Sequence, residues 1–192
     1  FKIFEGEKIQ VERVNIKGNN VTNDSVIRSE LLLDEGDPFS RTKMEKSISN
    51  IKARNIFNKV DYKINEGSEA GLKNIDITIE EKPTGEISAG AGYGTEGGAF
   101  AFSVKENNYL GKGLRVIANM DVSGESVRGG FNIINPNYNY TGNKVYTGIS
   151  TKKTDAASSG YENTISNINI GTEFEQYKDI FLGGDFSFTV DD

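Results

Sequence analysis

Two groups of residues in this chain have the types and spacing that could do chemistry. Gly90-Ala91-Gly92-Tyr93-Gly94 has the glycine density of a phosphate-cradling loop. It opens no helix, however, and no Walker lysine follows it. Asp121 and Glu125 form a carboxylate pair that could in principle exchange protons, but nothing around them points to acid–base work rather than to a wetted surface. The 192 residues contain no His and no Cys. A zinc site, a Ser-His-Asp triad and a Cys-His pair are therefore unavailable. Neither enzymatic chemistry nor a cofactor is expected. A net charge of −6 argues against nucleic acid as a partner.

The elements that would position these residues are strands. From about Glu86 to Val190, runs of alternating apolar and polar residues recur roughly seven times, each followed by a turn. Phe100-Ala-Phe102-Ser-Val104, Leu114-Arg-Val116-Ile-Ala118-Asn-Met120 and Phe186-Ser-Phe188-Thr-Val190 are examples. Strand side chains alternate faces, so period two means one apolar face and one wet face. Phe102, Val116, Phe131, Ile168 and Phe186 fall in the apolar set, and Arg115, Asn132, Asn169 and Asp185 in the wet set. This pattern suits the inner face of a soluble sandwich and the outer face of a membrane barrel equally. An apolar content of 35% includes no run long enough for a spanning helix. Barrel strands need only about 9–11 residues, half of them facing a lumen. Tyr109, Tyr138, Tyr140, Tyr146, Tyr161 and Tyr177 lie near strand ends, where interfacial aromatic girdles sit, and favour the membrane. The absence of Cys fits an envelope compartment. The chain opens at Phe1 without Met, charged n-region or cleavage site, and so reads as a mature piece or an excised fragment.

Residues 9–81 follow a different pattern, β-α-α-β-β. A strand through Val11, Val14 and Ile16 closes at Gly18-Asn19-Asn20. Thr22 or Asn23 can cap a helix with Val26, Ile27 and Leu31 on its apolar face, ending at Gly36 with Pro38 beyond. Ser40 can cap a second helix carrying Met44, Ile48 and Ile51. Two alternating strands follow, Val60 to Ile64 and Leu72 to Glu81. Two helices on one face of three strands can bury a core in about 75 residues. The charged residues Glu30, Asp34, Glu35, Asp37, Arg41, Lys43, Glu45 and Lys46 read as a solvated helix face. Lys82-Pro83-Thr84-Gly85 breaks the pattern, since proline cannot donate to a ladder. The division is thus 1–81, a hinge at 82–85 around Pro83, Thr84 and Gly85, and 86–192. Within the last part, tight turns are expected at Thr95–Gly98, Gly124-Glu125 and Glu175–Asp179, and longer ones at Asn107–Gly113, Asn135–Asn143 and Asp155–Glu162.

The order of motifs adds a resemblance. Val14-Asn-Ile16-Lys-Gly18-Asn19, then Asp24-Ser-Val26-Ile27-Arg28, then Asn55-Ile-Phe57-Asn-Lys-Val60 resembles a POTRA domain. Pro83-Thr84-Gly85 followed by Ser88-Ala89-Gly90-Ala91-Gly92-Tyr93 looks like the join between the last POTRA domain and the first barrel strand of the BamA family of outer-membrane β-barrel assembly factors. Asn108-Tyr109-Leu110-Gly111-Lys112-Gly113 resembles that family's turn after the second strand. Asn135-Pro136-Asn137-Tyr138 resembles its Asp-Pro-Tyr-Phe turn with two departures. Val127-Arg-Gly129-Gly130 is close to the family's lid-loop motif, but it precedes Asn135-Pro136 inside a strand and is read as coincidence.

The resemblance implies an α+β POTRA domain in the periplasm, followed by antiparallel transmembrane strands, about seven of the sixteen in the family's barrel. It implies insertion of β-barrel proteins into the bacterial outer membrane. The partners would be unfolded barrel clients, accessory periplasmic lipoproteins and outer-membrane lipid. The first strand, with Ile87, Ser88, Ala89, Gly90, Ala91, Gly92 and Tyr93, would be a lateral gate, and the POTRA edge a docking site. A related POTRA-barrel secretion pore is the alternative.

Overall fold

The computed structural model describes residues 8–94, 97–156, 160–178 and 180–192. The chain divides into two units, Phe1–Pro83 and Thr84–Asp192. Parts of three expected turns (Thr95 and Glu96, residues 157–159, and Asp179) and Phe1 lie outside the described residues.

In the first unit the order is β1 (Gln10–Lys17), α1 (Asp24–Arg28), α2 (Arg41–Ala53), β2 (Phe57–Glu66) and β3 (Leu72–Glu81). The sheet runs β1-β3-β2, with β3 parallel to β1 and antiparallel to β2. The apolar positions read from the sequence build the core. Val26 and Ile27 of α1 and Met44, Ile48 and Ile51 of α2 are buried with Val11, Val14, Val60, Ile75, Ile77 and Ile79 of the strands.

α1 is shorter than its sequence suggests. It ends at Arg28, and the following segment buries Leu33 while Leu31 packs at the core margin. Gly36, at a φ of 94°, then turns the chain back along β1. Asn23 occupies the N-cap of α1 without a side-chain cap bond, and Thr22 is buried. Ser40 caps α2 as expected, accepting from the Lys43 amide. Two of the charged residues expected on a solvated helix face have partners elsewhere. Glu30 pairs with Arg54 at 3.7 Å with little of either side chain exposed, and the Glu35 carboxylate accepts from the Val14 amide at 3.0 Å.

The second unit is an antiparallel meander in sequence order: β4 (Gly85–Gly94), β5 (Gly97–Tyr109), β6 (Leu114–Ser123), β7 (Ser126–Tyr138), β8 (Asn143–Ala156), β9 (Tyr161–Tyr177) and β10 (Ile180–Asp191). Directly opposed residues share a face. Phe102 faces Met120, Ala118 faces Phe131, and Phe131, Ile149, Ile168 and Phe188 form one row across four strands. The other face carries Asn119 opposite Gly130, Asn132 opposite Gly148, Gly148 opposite Asn169, and Gly171 opposite Asp185. Ile117, Ile134 and Ile165 also belong to this second face, which period-two patterning assigns to polar residues.

β5 and β7 run further than the expected turns allow. Asn108 and Tyr109 end β5, and Asn135 and Pro136 lie inside β7, so these four are strand residues; Leu110, Gly111 and Gly113 alone stay in the turn. Both strands shift register just before they end, between Glu106 and Tyr109 and between Asn135 and Tyr138. Such bulges let a strand continue, and Pro136 sits where a missing amide costs no regular ladder bond.

Candidate functional site

β4 is a terminal strand of its sheet, and among the described residues its second edge pairs with nothing. Ile87, Ala89, Ala91 and Tyr93 point to the apolar face, opposite Val104, Phe102, Phe100 and Gly98. Ser88, Gly90, Gly92 and Gly94 point to the other face, opposite Ser103, Ala101, Ala99 and Gly97. A Cβ added at Gly90, Gly92 or Gly94 would meet nothing within 4 Å. Elsewhere in the sheet the glycines make room. Asn119 reaches over Gly130, Asn132 and Asn169 over Gly148, and Tyr146 over Gly171. Close packing within this chain therefore explains Gly130, Gly148 and Gly171 but not the glycines of β4.

The base of β4 is held differently. β3 ends at Glu81 and β4 begins at Gly85, so Lys82, Pro83 and Thr84 lie between strands. The Thr84 carbonyl accepts from both the backbone amide and the side-chain amide of Asn107, at 3.2 and 3.1 Å. The Thr84 hydroxyl donates to the Glu106 carboxylate. The same Glu106 oxygen accepts the Asn108 amide at 2.7 Å. One strand residue further in, Glu86 pairs with Lys105 at 3.4 Å. Sequence reasoning missed the ties of Glu106 and Asn107 to Thr84, because they join residues 22 and 23 positions apart.

The two motif turns prove to be one structure built twice. Asn108 Oδ1 accepts the Gly113 amide at 2.8 Å, and Asn137 Oδ1 accepts the Gly142 amide at 2.8 Å. In each, the residue two places earlier accepts the amide of that asparagine, Glu106 in the first and Asn135 in the second. Leu110 and Gly111, like Asn139 and Tyr140, take positive φ. The shared signal Asn-Tyr-x-x-x-Gly is visible in the sequence at 108–113 and 137–142 but is masked by the different residues between.

In the first unit, β1 and β2 are both edge strands. The outer edge of β1 is covered from Ile9 to Val14. Val11 exchanges backbone bonds with Gly36 and Asp37 at 2.7 and 2.9 Å, and Phe39 donates to the Ile9 carbonyl. Glu35 takes the Val14 amide and Arg28 donates to the Val14 carbonyl at 2.9 Å. Among the described residues no segment of the sheet lies beyond β2, whose rim carries Lys59 and Asp61, paired at 2.8 Å, and Lys63. At the end of β3, the Glu81 carboxylate accepts the amides of Val21 and Thr22 at 2.9 and 2.7 Å. Burial pushes its pKa up, but the hydrogen bonds from Thr22, Val21 and Asn20 outweigh that and hold the carboxyl below its ordinary value. Gly18, at a φ of 94°, lets this loop pass so close to the Ile79 carbonyl that any Cβ would collide with it. Among the described residues no group of carboxylates could hold a metal ion.

A β-α-α-β-β unit followed by an antiparallel meander that is apolar on one face and polar on the other defines a POTRA-plus-barrel protein. The comparisons agree. The POTRA family, described as surface antigen variable number repeat, matches residues 9–82. A Treponema pallidum protein described as an outer membrane protein assembly factor is 34% identical over 131 residues, covering 65% of this chain and 16% of that protein. BamA of Neorickettsia risticii is 32% identical over 124 residues, 62% of this chain and 16% of its own length. The crystal structure of Haemophilus ducreyi BamA lacking POTRA domains 1–3 shares the fold over 97% of this chain and 36% of that one, at a TM-score of 0.82 and 22% identity. CdiB of Escherichia coli shares it at a TM-score of 0.67 over 96% of this chain and 37% of its own, at 13% identity. The chain carries a POTRA domain, and in sequence and fold it is similar to BamA, an outer membrane protein assembly factor. It spans about one sixth of the length of the assembly factors it matches.

Proposed function

We propose that this chain is the membrane-proximal part of a non-enzymatic factor that inserts β-barrel proteins into the bacterial outer membrane. Residues 1–81 are its periplasmic POTRA domain, 82–85 a hinge, and 86–192 the first strands of its barrel. The row through Phe131, Ile149, Ile168 and Phe188 faces lipid, and the face of Asn119, Asn132 and Asn169 lines the lumen. An apolar face this exposed needs a covering, and lipid supplies it over the full width of a sheet.

The observation that carries the reading is β4. Parting β4 from the final barrel strand would expose an edge of amides and carbonyls, to which a client strand can add by β-augmentation. Gly90, Gly92 and Gly94 touch no neighbour that a side chain would displace, so they leave this strand lightly held and open to approach. The clients are unfolded outer-membrane barrel proteins. In the POTRA domain, β2 is the edge for clients or accessory lipoproteins, because the Gly36–Phe39 segment, Glu35 and Arg28 already occupy β1.

The test is a pair of cysteines tying β4 to the final barrel strand of the full-length protein. This chain has no native thiol to interfere. Oxidation should stop client insertion and reduction should restore it. Insertion at the normal rate with the lock closed would overturn the gate and favour a passage pore with β4 as plain wall.

A further inference from the structure

The free rim of the POTRA sheet carries its charges in a fixed order. On β2, Lys59, Asp61 and Lys63 stand at alternate positions, so all three point to the face that the helices leave open. The β3 residues opposed to them are Glu80, Thr78 and Asp76. Both of those carboxylates are already engaged: Glu80 accepts from Asn58, and Asp76 accepts from Asn15 and Asn65. On the rim itself, the hydrogen bond from Lys59 holds the Asp61 carboxyl below its ordinary value, and the charges of Lys52 and Lys63 lower it further.

The helix side of the same rim is apolar. Val60, Tyr62 and Ile64 alternate with the charges and lie opposite Ile79, Ile77 and Ile75. Val60 is buried, Tyr62 packs at the core margin and Ile64 is 40% exposed. A hollow follows this edge, lined by Ile48 and Lys52 of α2 and by Val60 to Lys63 of β2.

A strand added to β2 meets two conditions at once. Its side chains toward α2 come beside Tyr62 and Ile64 and must be apolar. Those on the open face come opposite Lys59, Asp61 and Lys63. Opposed unlike charges attract and like charges repel, so the order plus, minus, plus on β2 favours minus, plus, minus on its neighbour. A slip of one residue would exchange the two faces of the added strand. A slip of two would set a carboxylate against Asp61 and a cation against a rim lysine. Rim lysines are a common guard against indiscriminate strand pairing. Here the guard opens to a strand that brings carboxylates in the right places.

We infer that the β2 rim reads charge in the strands it receives: it takes segments of unfolded barrel clients in which acid, base and acid alternate with apolar residues, and those charges set their register. The inference rests on the reading of β2 as the docking edge of the POTRA domain. It adds which strands dock and in what alignment. Barrel strands suit the rim because they are built on the same period of two, as Glu173-Phe174-Glu175 of β9 and Asp185-Phe186-Ser187-Phe188 of β10 show.

Three synthetic strand peptides test this on the full-length protein in lipid vesicles. All carry leucine at alternate positions and a photo-crosslinker at one end. Between the leucines stand glutamate-lysine-glutamate in the first, three glutamines in the second, and lysine-glutamate-lysine in the third. The first should bind about fivefold tighter than the second, and the third about fivefold weaker, with crosslinks on β2. Raising the salt to about 1 M should bring the three together. In K59Q/D61N/K63Q, which adds no charge to the rim, the three peptides should bind alike. Equal affinities for the unaltered protein, or a ranking that survives in the variant, would overturn the inference.

A fourth peptide separates this failure from that of the docking edge. It repeats the first with methyl groups on its backbone amides, which then cannot donate to a ladder. If charge does not rank the peptides while methylation abolishes binding and the β2 crosslinks, this inference fails and β2 stands as the docking edge. If the methylated peptide binds as well as its parent, the docking edge fails too.

Discussion

The ring of Tyr146 on β8 lies over Gly171 on β9, so close that a Cβ at position 171 would overlap it. From there the Tyr146 hydroxyl reaches Asp185 on β10, opposite Gly171. One side chain thereby spans three strands, and glycine at the middle position is what lets it pass.

Gly171→Ala should therefore destabilise the sheet by about 1–3 kcal/mol, the usual cost of overpacking. Gly92→Ala should not, because its Cβ would enter open space and alanine restricts the unfolded chain more than glycine does. Urea unfolding of the two variants in lipid separates them. Equal losses would mean that the glycines of β4 are packed as tightly as Gly171.

The two faces of the sheet should differ sharply in their tolerance of charge. Ala118 lies on the apolar face between Phe131 and Val104, and Ser150 lies on the other face between Gly130 and Asn167. Ala118→Arg should cost about 2–4 kcal/mol near the bilayer midplane, and Ser150→Arg close to nothing. Ser150 is a cleaner control than Asn119, which packs on Gly130. Folding into vesicles of defined thickness measures both. Equal tolerance would place lipid elsewhere.

Glu81 gives the POTRA domain a pH dependence of known sign. Its carboxyl is held below the ordinary value of 4.5 in the folded state, so the stabilisation is complete above that value and is lost as pH falls through the lower, folded-state one. Glu81→Gln should cost about 1 kcal/mol at pH 7. The urea midpoints of variant and parent should converge as pH falls below the carboxyl's ordinary value and through its lower folded-state one. A constant gap between them at all pH values would mean that the carboxylate's charge contributes nothing to the Val21 and Thr22 bonds.

The element order, the two faces of the meander and the POTRA core were all legible in the residues from 9 to 190. Strand and helix periods are local properties: Phe100, Phe102 and Val104 mark one face of β5 whatever β6 does. α1 shows where local reading stops. Leu31 continues a helical stripe in the sequence, yet the chain leaves the helix after Arg28 because burying Leu33 and closing the edge of β1 require a turn there.

Tertiary structure alone decided which edges and glycines remain open. Nothing in Glu35 or Arg28 as residues says that they seal β1 and leave β2 as the free edge. Nothing in Gly92 or Gly171 says that one faces open space and the other lies beneath a tyrosine. The anchoring of Thr84 by Glu106 and the holding of Val21 and Thr22 by Glu81 join residues 22, 60 and 59 positions apart. Such pairs follow from strand register, which is set by all the pairings of a sheet together and is written in no single segment.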